Sequence, residues 1–136
     1  MIDVDVLQLH ARMAMEHAYA PYSHFRHFRV GACVMSSDGK IFHGANVENA
    51  SYGLCCCAER NALFAAVSNG VKKGEFVALA LVSENDEPIS PCGACRQVMM
   101  ELMPRDALVI MAGRKRQKTA TVADLLPMAF DEEDIR

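Results

Sequence analysis

Residues 53–64 read GLCCCAERNALF, three consecutive cysteines followed at once by Ala-Glu-Arg and an apolar run. Ala62, Leu63, Phe64 and Ala66 carry a helical pattern forward to a stop at Gly70. Cys57 and Glu59 stand two apart at the head of that helix. On an ideal helix this spacing turns side chains about 200° away from each other, but in the first turn, around an ion at the helix end, both still reach one point. Only Cys57 stands two before Glu59, which makes Cys57 the ligand and Glu59 the proton carrier. Cys55 and Cys56 are expected to be small buried hydrophobes lining the approach to the helix.

A second cluster, SPCGACRQ at 90–97, sets Cys92 and Cys95 at CxxC spacing, again where a helix begins. Free N–H groups of a first helical turn favour thiolates, and two thiolates so spaced reach one metal ion. A thioredoxin-like redox pair belongs in a different βαβ context and leaves the first cluster unexplained. Zinc held by Cys57, Cys92 and Cys95 keeps a fourth position for water, the mark of a catalytic rather than a closed structural site. Bound zinc lowers the pKa of water from about 15.7 towards about 7. Glu59 can take that proton, deliver it to a substrate ring nitrogen and later to a leaving amine, an effect of roughly 10² to 10⁴ in rate. Three thiolates leave excess negative charge, and Arg60 and Arg96 are candidates to offset it by hydrogen bonds to sulfur, with a surface salt bridge as the other reading of Arg96.

Outward from these clusters, 136 residues that are 51% hydrophobic suit one domain spanning 1–136 with a single core. A formal net charge of -3 lacks the basic face that grips a nucleic-acid polymer, so a small molecule is the expected partner. No signal peptide or membrane-spanning run is visible, so the expected location is cytoplasmic, with no membrane partner. In that reducing setting six cysteines read as metal or catalytic groups rather than disulfides. Residues 4–19 read as an amphipathic helix ended by APYS, and the apolar stretches around Asp38-Gly39 as a hairpin. EFVALALVS (75–83) and ALVIMAG (107–113) are buried-strand runs, with helix CGACRQVMMELM between them. RKRQK (114–118) reads as a solvated turn at an edge, a short helix starts near Thr121, and DEEDIR (131–136) is expected to fray. Strands alternating with helices after a hairpin predict one mixed sheet with helices on both faces.

Taken together, NVENASYGLCCCAERNALFAAVSNG, PISPCGACRQVMMEL and LLPMAF resemble the small homotetrameric cytidine deaminases, with similarity running from APYS to Phe130. The Cys-x-Glu and Pro-Cys-x-x-Cys pair is also the pattern of zinc deaminases more widely. The resemblance implies an α/β fold, a three-layer α/β/α sandwich around a mixed five-stranded sheet. It implies one Zn²⁺ per subunit and hydrolysis of cytidine and deoxycytidine to uridine and deoxyuridine with release of ammonia, in pyrimidine salvage. Carried over by position, Cys57, Cys92 and Cys95 are zinc ligands, Glu59 the proton shuttle and Arg60 a donor to the ligand sulfurs. Asn46 and Glu48 hold ribose hydroxyls, and the backbone of Ala58 contacts the base. Tyr52 and Phe130 reach a neighbouring subunit's site, so each site of the homotetramer is completed by its neighbours.

One departure stands out. HFRHFR (24–29) is a tandem of three residues where the family has a single copy, so the aromatic that stacks on the pyrimidine is Phe28 counted from VGA or Phe25 counted from PYS. Phe28 is favoured, because the strand beginning there sets its distance from the sheet while an insertion bulges from the preceding loop. Competing readings are a blasticidin S or other aminopyrimidine nucleoside deaminase, a four-cysteine structural zinc module using Cys55 or Cys56, and a deaminase acting on flipped nucleic-acid bases. NVENASYG favours the nucleoside enzyme.

Overall fold

The structure, a computed structural model, describes residues 2–23 and 28–136. Five strands form one sheet in the order β2-β1-β3-β4-β5: β1 (Val30–Ser36), β2 (Ile41–Ala45), β3 (Phe76–Ser83), β4 (Leu108–Ala112) and β5 (Gln117–Thr121). The β3–β4 pair is parallel and the others antiparallel, which makes the sheet mixed as expected. The hairpin turns where Asp38-Gly39 predicts it, with Gly39 at φ +87°, a conformation that favours glycine.

Alternation along the strands separates two apolar layers. Ala32, Val34, Leu79, Leu81, Val109 and Met111 join the main core under α2 (Ala58–Ser68) and α3 (Gly93–Leu102). Cys33, Ala78, Ala80, Val82 and Ile110 meet Leu7 and Ala11 of α1 (Val4–Met15) on the opposite face. The result is the three-layer α/β/α sandwich. Two glycines permit the closest approaches: a Cβ on Gly31 would lie 2.0 Å from the Ala11 carbonyl of α1, and one on Gly44 would lie 2.3 Å from the Ala62 nitrogen of α2. α2 therefore sits directly on the hairpin strand that leads into Asn46.

Three local expectations change. The first helix stops at Met15 rather than near Tyr19, because Tyr19 takes extended pairing instead, its N–H donating to Asn46 O at 2.9 Å and its carbonyl accepting from Glu48 N at 2.7 Å. The basic segment is a turn only through Arg116. Gln117 and Lys118 open β5, whose exposed residues lack an apolar run and whose lysine suits an edge strand. The acidic end is a short 3₁₀ turn, Glu132–Ile135, closed by an Asp131 capping box and tied by Glu132 to Lys73 at 3.1 Å. The short helix appears as α4 (Val122–Leu125), with Thr121 as its N-cap.

Candidate active site

Cys57 is the N-cap residue of α2 and Cys92 the N-cap residue of α3, with Cys95 in the first turn of α3. Neither N-cap side chain caps its own helix; both sulfurs face each other. Cys57 and Cys92 sulfurs lie 3.7 Å apart, Cys92 and Cys95 3.6 Å, and all three fall within 4.8 Å of one another. Zn–S bonds of about 2.3 Å at tetrahedral angles set sulfurs about 3.8 Å apart, so the trio fits zinc. Two helix N-termini converge on it and favour negative charge there. Among the described residues no other group of three or more metal-binding side chains forms.

The thiols already differ in character. Cys57 is brought down to about 5, first by its hydrogen bond with Cys95 and then by Arg60, whereas the bond to Cys57 and burial raise Cys95 well above the usual thiol range. Arg60 Nη2 donates to Cys57 Sγ at 3.5 Å, as expected. Its Nε is buried without a partner among the described residues, a donor held beside the sulfurs. Glu59 is only 4% exposed, and burial, then the Cys57 charge, pushes its carboxyl up to about 7.

Pairing between segments distant in sequence brings Asn46 and Glu48 beside the stretch that leads into Cys57. Val47 and Cys56 exchange backbone hydrogen bonds at 3.0 and 2.9 Å, and Val47 also bridges Tyr19. Asn46 and Glu48 thus flank the strand-like segment that runs beside Cys56 and into Cys57. Asn46 Oδ1 accepts from Val30 N at 2.8 Å and its Nδ2 donates to Phe28 O at 2.9 Å. Glu48 Oε1 accepts from the Tyr22 and Ser23 N–H groups at 2.7 and 3.0 Å, and its Oε2 from the Ser23 hydroxyl at 2.6 Å. Phe28 is half-buried against the main core. Phe25 lies outside the described residues. Ala58 is fully buried at the first position of α2.

Tyr52 and Phe130 point outward, 65% and 59% exposed, and take no part in this chain's own sulfur cluster. Gln97 holds the Phe130 carbonyl at 2.7 Å, so the α3 that carries Cys95 also anchors Phe130. Arg96 does not reach sulfur. Its Nε donates to Pro91 O at 2.7 Å and its Nη1 to Leu125 O at 2.8 Å, because two carbonyls left by the α3 entry and the α4 exit lie within reach of the guanidinium. Cys55 and Cys56 are half-buried rather than buried. Cys55 Sγ accepts from Asn49 N at 3.3 Å, which occupies it away from the trio. Two residues escape the sequence reading: Asn61, whose Nδ2 ties α2 to Ala45 O at 2.8 Å, and Ser23. A polar residue beside a motif was their only signal.

A sequence model of the cytidine and deoxycytidylate deaminase zinc-binding region matches residues 5–111. A cytidine deaminase from Halalkalibacterium halodurans is 47% identical over 135 residues, covering 98% of either chain. One from Sporosarcina psychrophila is 46% identical over 135 residues, 98% of this chain and 96% of its own. The crystal structure of a cytidine deaminase from Burkholderia pseudomallei matches with a TM-score of 0.90 and 51% identity, over 95% of this chain and all of its own.

Proposed function

This chain belongs to the cytidine and deoxycytidylate deaminase family, and on that premise we propose that it hydrolyses cytidine and deoxycytidine to uridine and deoxyuridine. The observation that carries the reading is the meeting of Cys57, Cys92 and Cys95 sulfurs at two helix N-termini with buried Glu59 beside them. The three cysteines would hold one Zn²⁺ per chain. When bound, zinc supplies a Lewis acid that makes hydroxide available near neutral pH. Glu59 moves protons: one from water to the pyrimidine ring nitrogen as the water oxygen bonds to C4, then the remaining hydroxyl proton to the amine, which leaves as ammonia when the C4–N bond breaks and the C4 carbonyl forms. Its burial keeps competing solvent away from that transfer. Arg60 donates to Cys57 and offsets thiolate charge.

Phe28 stacks on the base, Ala58 contributes a backbone contact to it, and Asn46 and Glu48 receive the ribose. Their placement on the segment paired with Cys56 supports that division. Exposed Tyr52, Leu54, Phe64, Val67, Met128 and Phe130 leave apolar surface that a homotetramer would cover. Within that assembly Tyr52 and Phe130 complete neighbouring sites. The chain works in pyrimidine salvage in the cytoplasm, which suits six free thiols.

Addition of cytidine to protein carrying near one zinc per chain is expected to lower ultraviolet absorbance as the amine is lost. No turnover at full zinc loading overturns the reading, and a higher kcat/KM for blasticidin S run alongside transfers it to that substrate. Glu59→Gln should keep the zinc and lose at least about 10² in kcat.

A further inference from the structure

Ser23 is the one described side chain that bonds both to a proposed ribose ligand and to the backbone of the proposed stacking residue. Its hydroxyl donates to Glu48 Oε2 at 2.6 Å and accepts from Phe28 N–H at 2.9 Å. A hydroxyl has a single proton to give, and this one goes to a carboxylate, the stronger kind of hydrogen bond. Ser23 N–H and Tyr22 N–H fasten the other oxygen of the same carboxylate. Across the same site Asn46 holds the Phe28 carbonyl and the Val30 amide. The backbone N–H and carbonyl of Phe28 are thus each taken by a polar side chain, one of them Ser23 and the other a proposed ribose ligand.

We propose that Ser23 is a positioning residue that couples sugar recognition to base stacking, setting the Glu48 carboxylate for the ribose 3'-hydroxyl and Phe28 for the ring. The inference rests on the nucleoside deaminase reading above. The same hydroxyl ties Phe28 to Ser23 just before the chain enters β1 at Val30. In the first strand Val30 already pairs with Ser83, which leaves no slack for Phe28 to slide.

The coupling predicts a substrate-dependent defect. In Ser23→Ala the KM for cytidine should rise about tenfold, the scale of one charge-assisted hydrogen bond, with kcat within about threefold. With 3'-deoxycytidine, which lacks the hydroxyl that Glu48 would meet, the Ser23→Ala penalty should fall to about twofold, the part owed to Phe28. Combined with Glu48→Gln, the two substitutions should cost less than the product of their separate effects. Ser23→Thr, which keeps the hydroxyl, should restore KM. An unchanged KM in Ser23→Ala, an equal penalty on both nucleosides, or strict additivity with Glu48→Gln overturns the proposal while wild-type turnover leaves the deaminase reading standing. A wild type without cytidine turnover would instead remove the reading beneath it.

Discussion

Gly44→Ala tests whether close packing of α2 on the hairpin strand is what aims the active site. The added Cβ would sit 2.3 Å from Ala62 N, 2.4 Å from Ala58 O and 2.8 Å from Ala62 Cα. All three are backbone atoms, so no side-chain rotation relieves them. Ordinary contact begins at 3.4 Å, so α2 must retreat by about 1 Å or β2 must bend. Overpacking of this kind costs typically about 1–3 kcal/mol, which for a domain of this size lowers Tm by roughly 3–10 °C. The retreating helix starts at Cys57 and carries Glu59, and the neighbouring Asn61 to Ala45 bond of 2.8 Å would stretch with it. A displacement of about 1 Å at reacting groups costs on the order of 10² in rate. The matched comparison is Gly31→Ala, whose Cβ would meet Ala11 O at 2.0 Å and Met15 N at 2.5 Å, pushing α1 on the far face, where no proposed site residue lies. Thermal melting, zinc content and initial rates at a temperature where both variants are folded separate the two. Both should lose stability, and only Gly44→Ala should lose most of its kcat. Full stability and full kcat in Gly44→Ala, or equal kcat losses in the two variants, would refute the packing argument.

Further outcomes are expected. Cys57→Ala should lose zinc on dialysis while Cys55→Ala keeps near one equivalent, because only the former sulfur faces Cys92; the reverse result would shift the ligand assignment. Phe28→Ala should raise KM for cytidine more than Phe25→Ala, and a larger effect at Phe25 would move the stacking role to the other copy of the repeat. Burial, the dominant effect, pushes the Cys33 thiol up to about 12 from an ordinary 9.0. The unfolded chain ionises this thiol from about pH 9 and the folded chain does not, so its contribution is intact below that pH and is lost as pH rises towards 12, up to about 4 kcal/mol. Urea unfolding from pH 8 to 11 should therefore show a shallower decline in Cys33→Ala than in wild type, and parallel curves would contradict it.

Much of the chemistry was legible because it is local. Cys-x-Glu and Pro-Cys-x-x-Cys lie within single helix starts, where spacing alone brings ligand and carboxylate into one turn and two thiols to one ion. The Asp38-Gly39 turn, the buried runs of β3 and β4 and the Gly70 stop are likewise short-range signals, and each appears where the pattern puts it. Residues with long-range partners were not readable. Arg96 beside Cys95 invites a bond to sulfur, yet its partners are carbonyls at Pro91 and Leu125 that only the docking of α4 supplies. The helical pattern of 4–19 ends early because Tyr19 finds backbone partners at Asn46 and Glu48, nearly thirty residues on. β5 has no apolar run to announce it, since Gln117, Lys118 and Thr119 are exposed and its place comes from pairing with β4. The sequence by itself singled out the side chains proposed to hold the ion and to carry the proton. The tertiary structure decided which segments meet: pairing of Val47 with Cys56 and of Tyr19 with Val47 sets Asn46 and Glu48 beside the approach to Cys57, with Ser23 bonded to Glu48, a meeting of backbone segments that no local periodicity encodes.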